Sequence, residues 1–140
     1  MTDPRALYPE AILDHSRNPR NQGRLGDATH SHRMSNPLCG DRVTIALRLD
    51  DERIADVNFE ARGCALCVAA ASMLTEWVRD RTLDELPDLE RAIENAVDPE
   101  AESVSGEVAV WEALRGFPAR KRCATLPWET LRAALNADPQ

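Results

Sequence analysis

Arg42-Val43-Thr44-Ile45-Ala46-Leu47-Arg48-Leu49, a polar link Asp50-Asp51-Glu52-Arg53, and Ile54-Ala55-Asp56-Val57-Asn58-Phe59-Glu60-Ala61 lead into Arg62-Gly63-Cys64. In the first run Val43, Ile45, Leu47 and Leu49 alternate with Thr44, Ala46 and Arg48, the period of a half-buried strand. The second run alternates less cleanly, through Val57 and Phe59. Two such runs joined by a short polar turn predict an antiparallel hairpin. Beyond Gly63 the period changes. Leu66, Ala69, Ala70, Met73, Leu74, Trp77 and Val78 recur at helical spacing, which predicts a helix of about four turns. Strands followed by helices read as an α+β fold.

The chain on either side fits that reading. Residues 28–35 are polar with weak alternation and are expected to add an edge strand, giving a three-stranded meander. Before them, Leu7, Ala11, Ile12 and His15 share one face of a helix that follows Pro4 and ends at Asn18-Pro19 and the turn residues up to Gly23. Downstream, Thr82 with Glu85 forms a capping box ahead of Leu83, Leu86, Leu89, Ile93 and Val97. Pro87 is expected to split that helix in two. Residues 98–103 read as a loop. Ser105 or Gly106 opens a short helix with Val108, Trp111 and Leu114 inward, and Gly116 closes it. Pro118 is expected to keep the next residues extended, with Cys123 just ahead of a last helix that carries Trp128, Leu131 and Leu135. The expected architecture is a three-stranded antiparallel sheet packed against a set of helices, as one domain over residues 1–140.

Composition narrows the function. The chain has 140 residues, 43% hydrophobic and 29% charged, which suits a soluble domain with a real core. No apolar run is long enough for a transmembrane helix, and the N-terminus lacks a secretory pattern, so the expected location is cytoplasmic, with no membrane partner. A net charge of −7 argues against nucleic acid as a partner. Acids dominate residues 81–107, a solvated face, whereas Arg115, Arg120, Lys121 and Arg122 crowd the approach to Cys123.

Disulfides do not persist in the cytoplasm, so four cysteines point to metal or redox chemistry as well as to buried structural thiols. Cys39-Gly40-Asp41 reads as a tight turn before a strand, and Cys64 follows Gly63 at a strand-to-helix junction. A thiol near a helix N-terminus shifts toward thiolate, because unpaired backbone N–H groups favour negative charge there. Cys39, Asp41, Cys64 and Cys123 would make a tetrahedral zinc set, although their spacing alone leaves buried thiols as an open alternative. Cys67 falls one helical turn beyond Cys64 and reads as a buried structural residue, with a reserve ligand or sulfur-relay thiol as the alternative. His15, His30 and His32 read as surface residues rather than ligands, and Trp77, Trp111 and Trp128 as core.

These motifs resemble the IscU/SufU/NifU-type family of iron–sulfur cluster assembly proteins. The resemblance is carried by Tyr8-Pro9-Glu10-Ala11-Ile12-Leu13-Asp14-His15 with Asn18-Pro19, and by Asn36-Pro37-Leu38-Cys39-Gly40-Asp41. It continues through Gly63-Cys64 with Ala71-Ser72-Met73, Phe117-Pro118-Ala119-Arg120 and Cys123-Ala124-Thr125-Leu126. The SufU branch is the better match: Arg122 stands where the IscU branch has a histidine, and that branch's Leu-Pro-Pro-Val-Lys segment is absent. The resemblance implies an IscU-type fold and zinc held by Cys39, Asp41, Cys64 and Cys123. It also implies a zinc-dependent sulfurtransferase, with Cys39 accepting persulfide sulfur from a SufS-like cysteine desulfurase for the SUF scaffold complex. The alternative it implies is a non-enzymatic scaffold for iron or a [2Fe–2S] cluster. Cys67 departs from the branch, which usually has a small non-ligand residue there, and Pro127 is expected to tighten or kink the start of the last helix.

Overall fold

The computed structural model describes residues 9–37 and 40–136. Its middle strand β2 (Asp41–Asp50) pairs antiparallel with β1 (His30–Asn36) on one side and β3 (Arg53–Arg62) on the other. The turn between β2 and β3 is Asp51-Glu52, with Asp51 at φ 57°, a left-handed conformation that aspartate tolerates. Period two then sorts the side chains. Asp41, Val43, Ile45 and Leu47 face inward and are buried, together with Val57 and Phe59 across the ladder. Arg42 and the residues that alternate with them face the other way.

Two helices cover the inward face: α2 (Ala65–Val78) lies over β3, and α4 (Lys121–Asn136) over β1 and β2. α2 is apolar nearly all round because it is enclosed by the sheet, α4 and α1 (Glu10–Arg17). Its small residues Ala69, Ala70 and Ala71 allow that close approach. α3 (Leu86–Val97) packs on a 3-10 run at Glu107–Gly116, where Val108, Trp111 and Leu114 recur every three residues, the period that stacks side chains on one face of a 3-10 helix.

Several expectations are corrected. The break near Pro87 falls before it, because a 3-10 turn at Leu83–Glu85, closed by the Thr82–Glu85 capping box, hands over to α3 with Pro87 in its first turn. A proline lacks only an N–H that the first turn leaves unused. Pro118 is likewise not extended but opens a 3-10 turn, Pro118–Arg120. α4 therefore begins at Lys121, and Cys123 lies inside its first turn rather than ahead of it. The helix runs unbroken through Pro127. Leu7 and the chain before it lie outside the described residues. Trp111 and Trp128 are core, but Trp77 is only half-buried and its indole N–H donates to Glu107 at 2.9 Å. Among the described residues no helix is long and apolar enough to cross a membrane.

The histidines are also not all surface residues. His30 is buried with Nδ1 2.9 Å from the Thr29 hydroxyl, while His32 is exposed. His15 shares a hydrogen bond at 2.7 Å with the Ser72 hydroxyl, which accepts the Arg20 backbone N–H at 2.8 Å. Ser72 is fully buried, so this knot fastens α1 and the chain after it to α2. Burial, and after it the charge of Arg20, lowers the His15 pKa from the usual 6.5. As pH falls below about 6.5 the unfolded chain takes up this proton before the folded one does, so stability drops until the lower folded value is passed. Urea unfolding at pH 7.5 and 5.5 is expected to show a smaller acid loss for His15→Gln, which cannot titrate, than for the unaltered protein.

Candidate metal centre

The end of the sheet where β2 begins and β3 ends also receives the first turns of α2 and α4. Asp41 is the first residue of β2, and inward alternation carries its carboxylate under both helices, with 1% of the residue exposed. Cys64 caps the N-terminus of α2 in an extended conformation (φ −73°, ψ 159°), and Cys123 is buried on the first turn of α4. Asp41 Oδ1 accepts the Cys64 backbone N–H at 2.8 Å. Its Oδ2 lies 3.6 Å from each of the two sulfurs, and the sulfurs are 3.4 Å apart.

Gly63 makes this approach feasible. Its φ of +141° is closed to ordinary residues, and a Cβ placed there would stand 2.0 Å from Asp41 Oδ1 and 2.9 Å from Asp41 Cα. In the sequence Gly63 marked only a junction. The tertiary approach of β2 to that junction turns it into a condition for the site.

The donor set fits a metal on its own dimensions. Tetrahedral zinc, with Zn–S of about 2.3 Å and Zn–O of about 2.0 Å, sets two sulfurs about 3.8 Å apart and a sulfur and an oxygen about 3.5 Å apart. One donor atom each from Asp41, Cys64 and Cys123 lie within 4.8 Å of one another, and the S···O and S···S separations already approach those edges. Thiolates beside a carboxylate favour zinc or iron over magnesium or calcium. Cys64 is half-buried and is the accessible member of the three. Its pKa is lowered to about 7, first by the hydrogen bond with the Cys123 thiol and further by the Cys67 and Leu66 backbone N–H groups of the helix start.

Of the four residues expected to converge, three do. Cys39 lies outside the described residues; Gly40, between it and Asp41 in the sequence, donates its N–H to the Asn36 carbonyl at 2.8 Å. Cys67 is fully buried in the core and is not part of the donor cluster. Arg122, at the position the IscU branch gives to histidine, pairs with Glu129 at 3.3 Å along its own helix.

The profile of the family described as the NifU-like N terminal domain matches residues 7–138. The chain belongs to that family. Its sequence is 36% identical over 132 residues to the zinc-dependent sulfurtransferase SufU of Bacillus subtilis (strain 168), covering 92% of this chain and 89% of that protein. It is 35% identical over 130 residues to the iron–sulfur cluster assembly scaffold protein IscU 1 of Archaeoglobus fulgidus, covering 92% and 74%. Among solved structures, the NifU-like chain superposes with a TM-score of 0.81 on a SUF-system cluster assembly scaffold protein from Fervidobacterium islandicum AW-1. That pair is 30% identical over 95% of this chain and 99% of the other. The N-terminal NifU-like protein of Brucella abortus, at 24% identity, 94% coverage of each chain and a TM-score of 0.84, shows the shared fold. The three-stranded sheet under helices expected from the sequence is thus the NifU-like architecture, and the family is one of iron–sulfur cluster assembly.

Proposed function

We propose that this NifU-like chain is a cytoplasmic sulfur acceptor. It would bind zinc through Cys39, Asp41, Cys64 and Cys123, take persulfide sulfur from a SufS-like cysteine desulfurase on Cys39, and pass it to the SUF scaffold complex. The observation that carries the reading is the Asp41–Cys64–Cys123 cluster, whose S···O and S···S separations approach the edges of a zinc tetrahedron, and Cys39 lies two residues before Asp41 in the sequence. When bound there, zinc supplies a Lewis acid that holds thiols as thiolates at neutral pH.

The protein's own contribution is positional. Cys64 and Cys123 are held by the starts of two packed helices and Asp41 by a central strand, so these three act as fixed holders. Cys39 falls between β1 and β2 in the sequence and is assigned the moving role. Its thiolate attacks the outer sulfur of the donor's persulfide. The donor's S–S bond breaks, a new S–S bond forms on Cys39, and the donor cysteine leaves as a thiolate.

Mass spectrometry after incubation with desulfurase and cysteine tests this assignment. Added sulfur is expected on the Cys39 peptide, and Cys39→Ala is expected to lose uptake and stimulation of the desulfurase while zinc retention only weakens. Full stimulation by Cys39→Ala would remove Cys39 from the mechanism.

Nearly equal identity to an IscU scaffold favours a second reading, assembly of a [2Fe–2S] cluster on the same residues. Anaerobic purification separates the two. A colourless protein with one zinc supports sulfur transfer, and a brown one with matching iron and sulfide supports the scaffold.

A further inference from the structure

The face of the sheet turned away from the helices carries a feature the metal site does not use. Arg24, Arg33, Arg42 and Arg62, with Gln22, Thr44 and Glu60, line an open depression of ≈ 490 Å³. All four arginines are exposed. None of them is in an ion pair among the described residues, whereas nine other arginines are paired. Acids are not scarce: the chain has 24 Asp and Glu against 17 Lys and Arg. Arg42 stands directly opposite Arg62 in the ladder, and Arg33 is diagonal to Arg42. Like charges directly opposite across a ladder repel and destabilise the sheet. An acidic chain therefore keeps a repelling cluster of cations on one face, with Glu60 as the acid among the residues lining it.

The cluster joins the metal centre through the backbone. Arg42 follows Asp41 on β2, and Arg62 precedes Gly63-Cys64 at the end of β3. Strand alternation sends the acid inward to the thiols and its neighbour outward to the patch. Exposed Arg120 and Lys121 lie ahead of Cys123. A body that reaches the thiols at this end of the sheet comes within range of cations on both flanks.

We infer that the Arg33–Arg42–Arg62 face is a docking surface for an acidic region of the sulfur-donating protein, next to the cysteine that carries its persulfide. This rests on the acceptor reading above. A protein suits the patch better than a nucleic acid. The patch is local on a chain of net charge −7, which repels a long polyanion, and no aromatic residue lines the depression for bases to stack on. Opposite charge at such a surface speeds encounter and sets orientation, so the donor's cysteine arrives facing the acceptor turn.

The test is binding of the full chain to its own organism's cysteine desulfurase, at 50 and 300 mM salt, for the unaltered protein, the triple variant Arg33→Glu/Arg42→Glu/Arg62→Glu, and Arg17→Glu. Arg17 is exposed on α1 outside the patch, so its reversal gives the effect of one charge reversal elsewhere on the surface, with which the triple variant's three reversals are compared per charge. The triple variant is expected to weaken binding by at least about 30-fold at 50 mM salt, about threefold per reversal, Arg17→Glu by less than about 1.5-fold, and added salt to weaken the unaltered complex. All substituted side chains are exposed, and matching melting curves would show that the fold is kept. Equal affinity of the triple variant, absence of any complex, or an equal loss per charge in Arg17→Glu overturns the inference. So does binding of single-stranded nucleic acid that the triple variant loses. Binding that depends on the arginines without sulfur uptake refutes the acceptor reading and leaves the docking surface standing.

Discussion

Gly63→Ala is expected to cost about 4 kcal/mol of stability, roughly half from overpacking against a buried neighbour and half from a backbone conformation reserved for glycine. The added methyl has nowhere to go. At 2.0 Å from Asp41 Oδ1 a side chain could rotate away, but at 2.9 Å from Asp41 Cα the backbone of β2 must move. That movement breaks the 2.8 Å bond from the Cys64 N–H to Asp41 and separates the donor atoms, so zinc retention should fall together with stability. Thermal melting and metal analysis of the purified variant read both effects, with a midpoint lower by on the order of 10 °C. Gly40→Ala is the control. Gly40 also has a positive φ, +74°, but its added Cβ would meet nothing within 4 Å, so about 1 kcal/mol is expected. Equal losses in the two variants would show that backbone conformation, not the approach to Asp41, governs Gly63.

Asp41→Asn should separate metal binding from folding. The amide keeps an oxygen to accept the Cys64 N–H, so the local turn survives. It loses the anionic oxygen that lies 3.6 Å from both sulfurs. Zinc affinity, measured by competition with a chromophoric chelator, is expected to fall by at least about 100-fold, more than the loss typical of a residue one shell further out. Urea unfolding of the metal-free protein should show no matching loss, because a buried carboxylate 3.6 Å from two sulfurs, one of them the lowered-pKa thiol of Cys64, is a burden until a cation arrives. Undiminished zinc affinity would remove Asp41 from the ligand set. A metal-free protein destabilised as much as Gly63→Ala would make its role that of a structural cap.

Much of the framework was legible in the order of residues because its cause is local. The alternation of Val43, Ile45 and Leu47 sets both the strand and its buried face, but Asp41 read as part of the turn before that strand, and only the structure makes it the first residue of β2 and turns it inward. The Thr82–Glu85 box marks a helix entry from four consecutive residues. The prolines were harder to read. Pro87 and Pro118 each signalled a break, but whether proline stops a helix or starts one depends on which side of it the neighbouring turn forms. At Pro118 the 3-10 turn runs on into α4 and takes Cys123 with it.

The histidines show the same limit. Their type and spacing indicated polar surface, whereas His15 is held against Ser72, 57 residues away, an association that only the packing of α1 on α2 creates.

By itself, then, the sequence determined the α+β class, the hairpin, the helix start at Cys64 and the resemblance to iron–sulfur cluster assembly proteins. These follow from periods of two to four residues and from short motifs, which a chain carries wherever it lies in space. Tertiary structure decided what those parts make together. It brought Asp41, Cys64 and Cys123 within 4.8 Å, left Cys67 out of the group, set Gly63 so close to Asp41 that a Cβ would collide with it, and gathered Arg33, Arg42 and Arg62 on the opposite face. The physical reason is distance along the chain. Cys64 and Cys123 are separated by 59 residues, and only the burial of two helices on one sheet sets their sulfurs 3.4 Å apart.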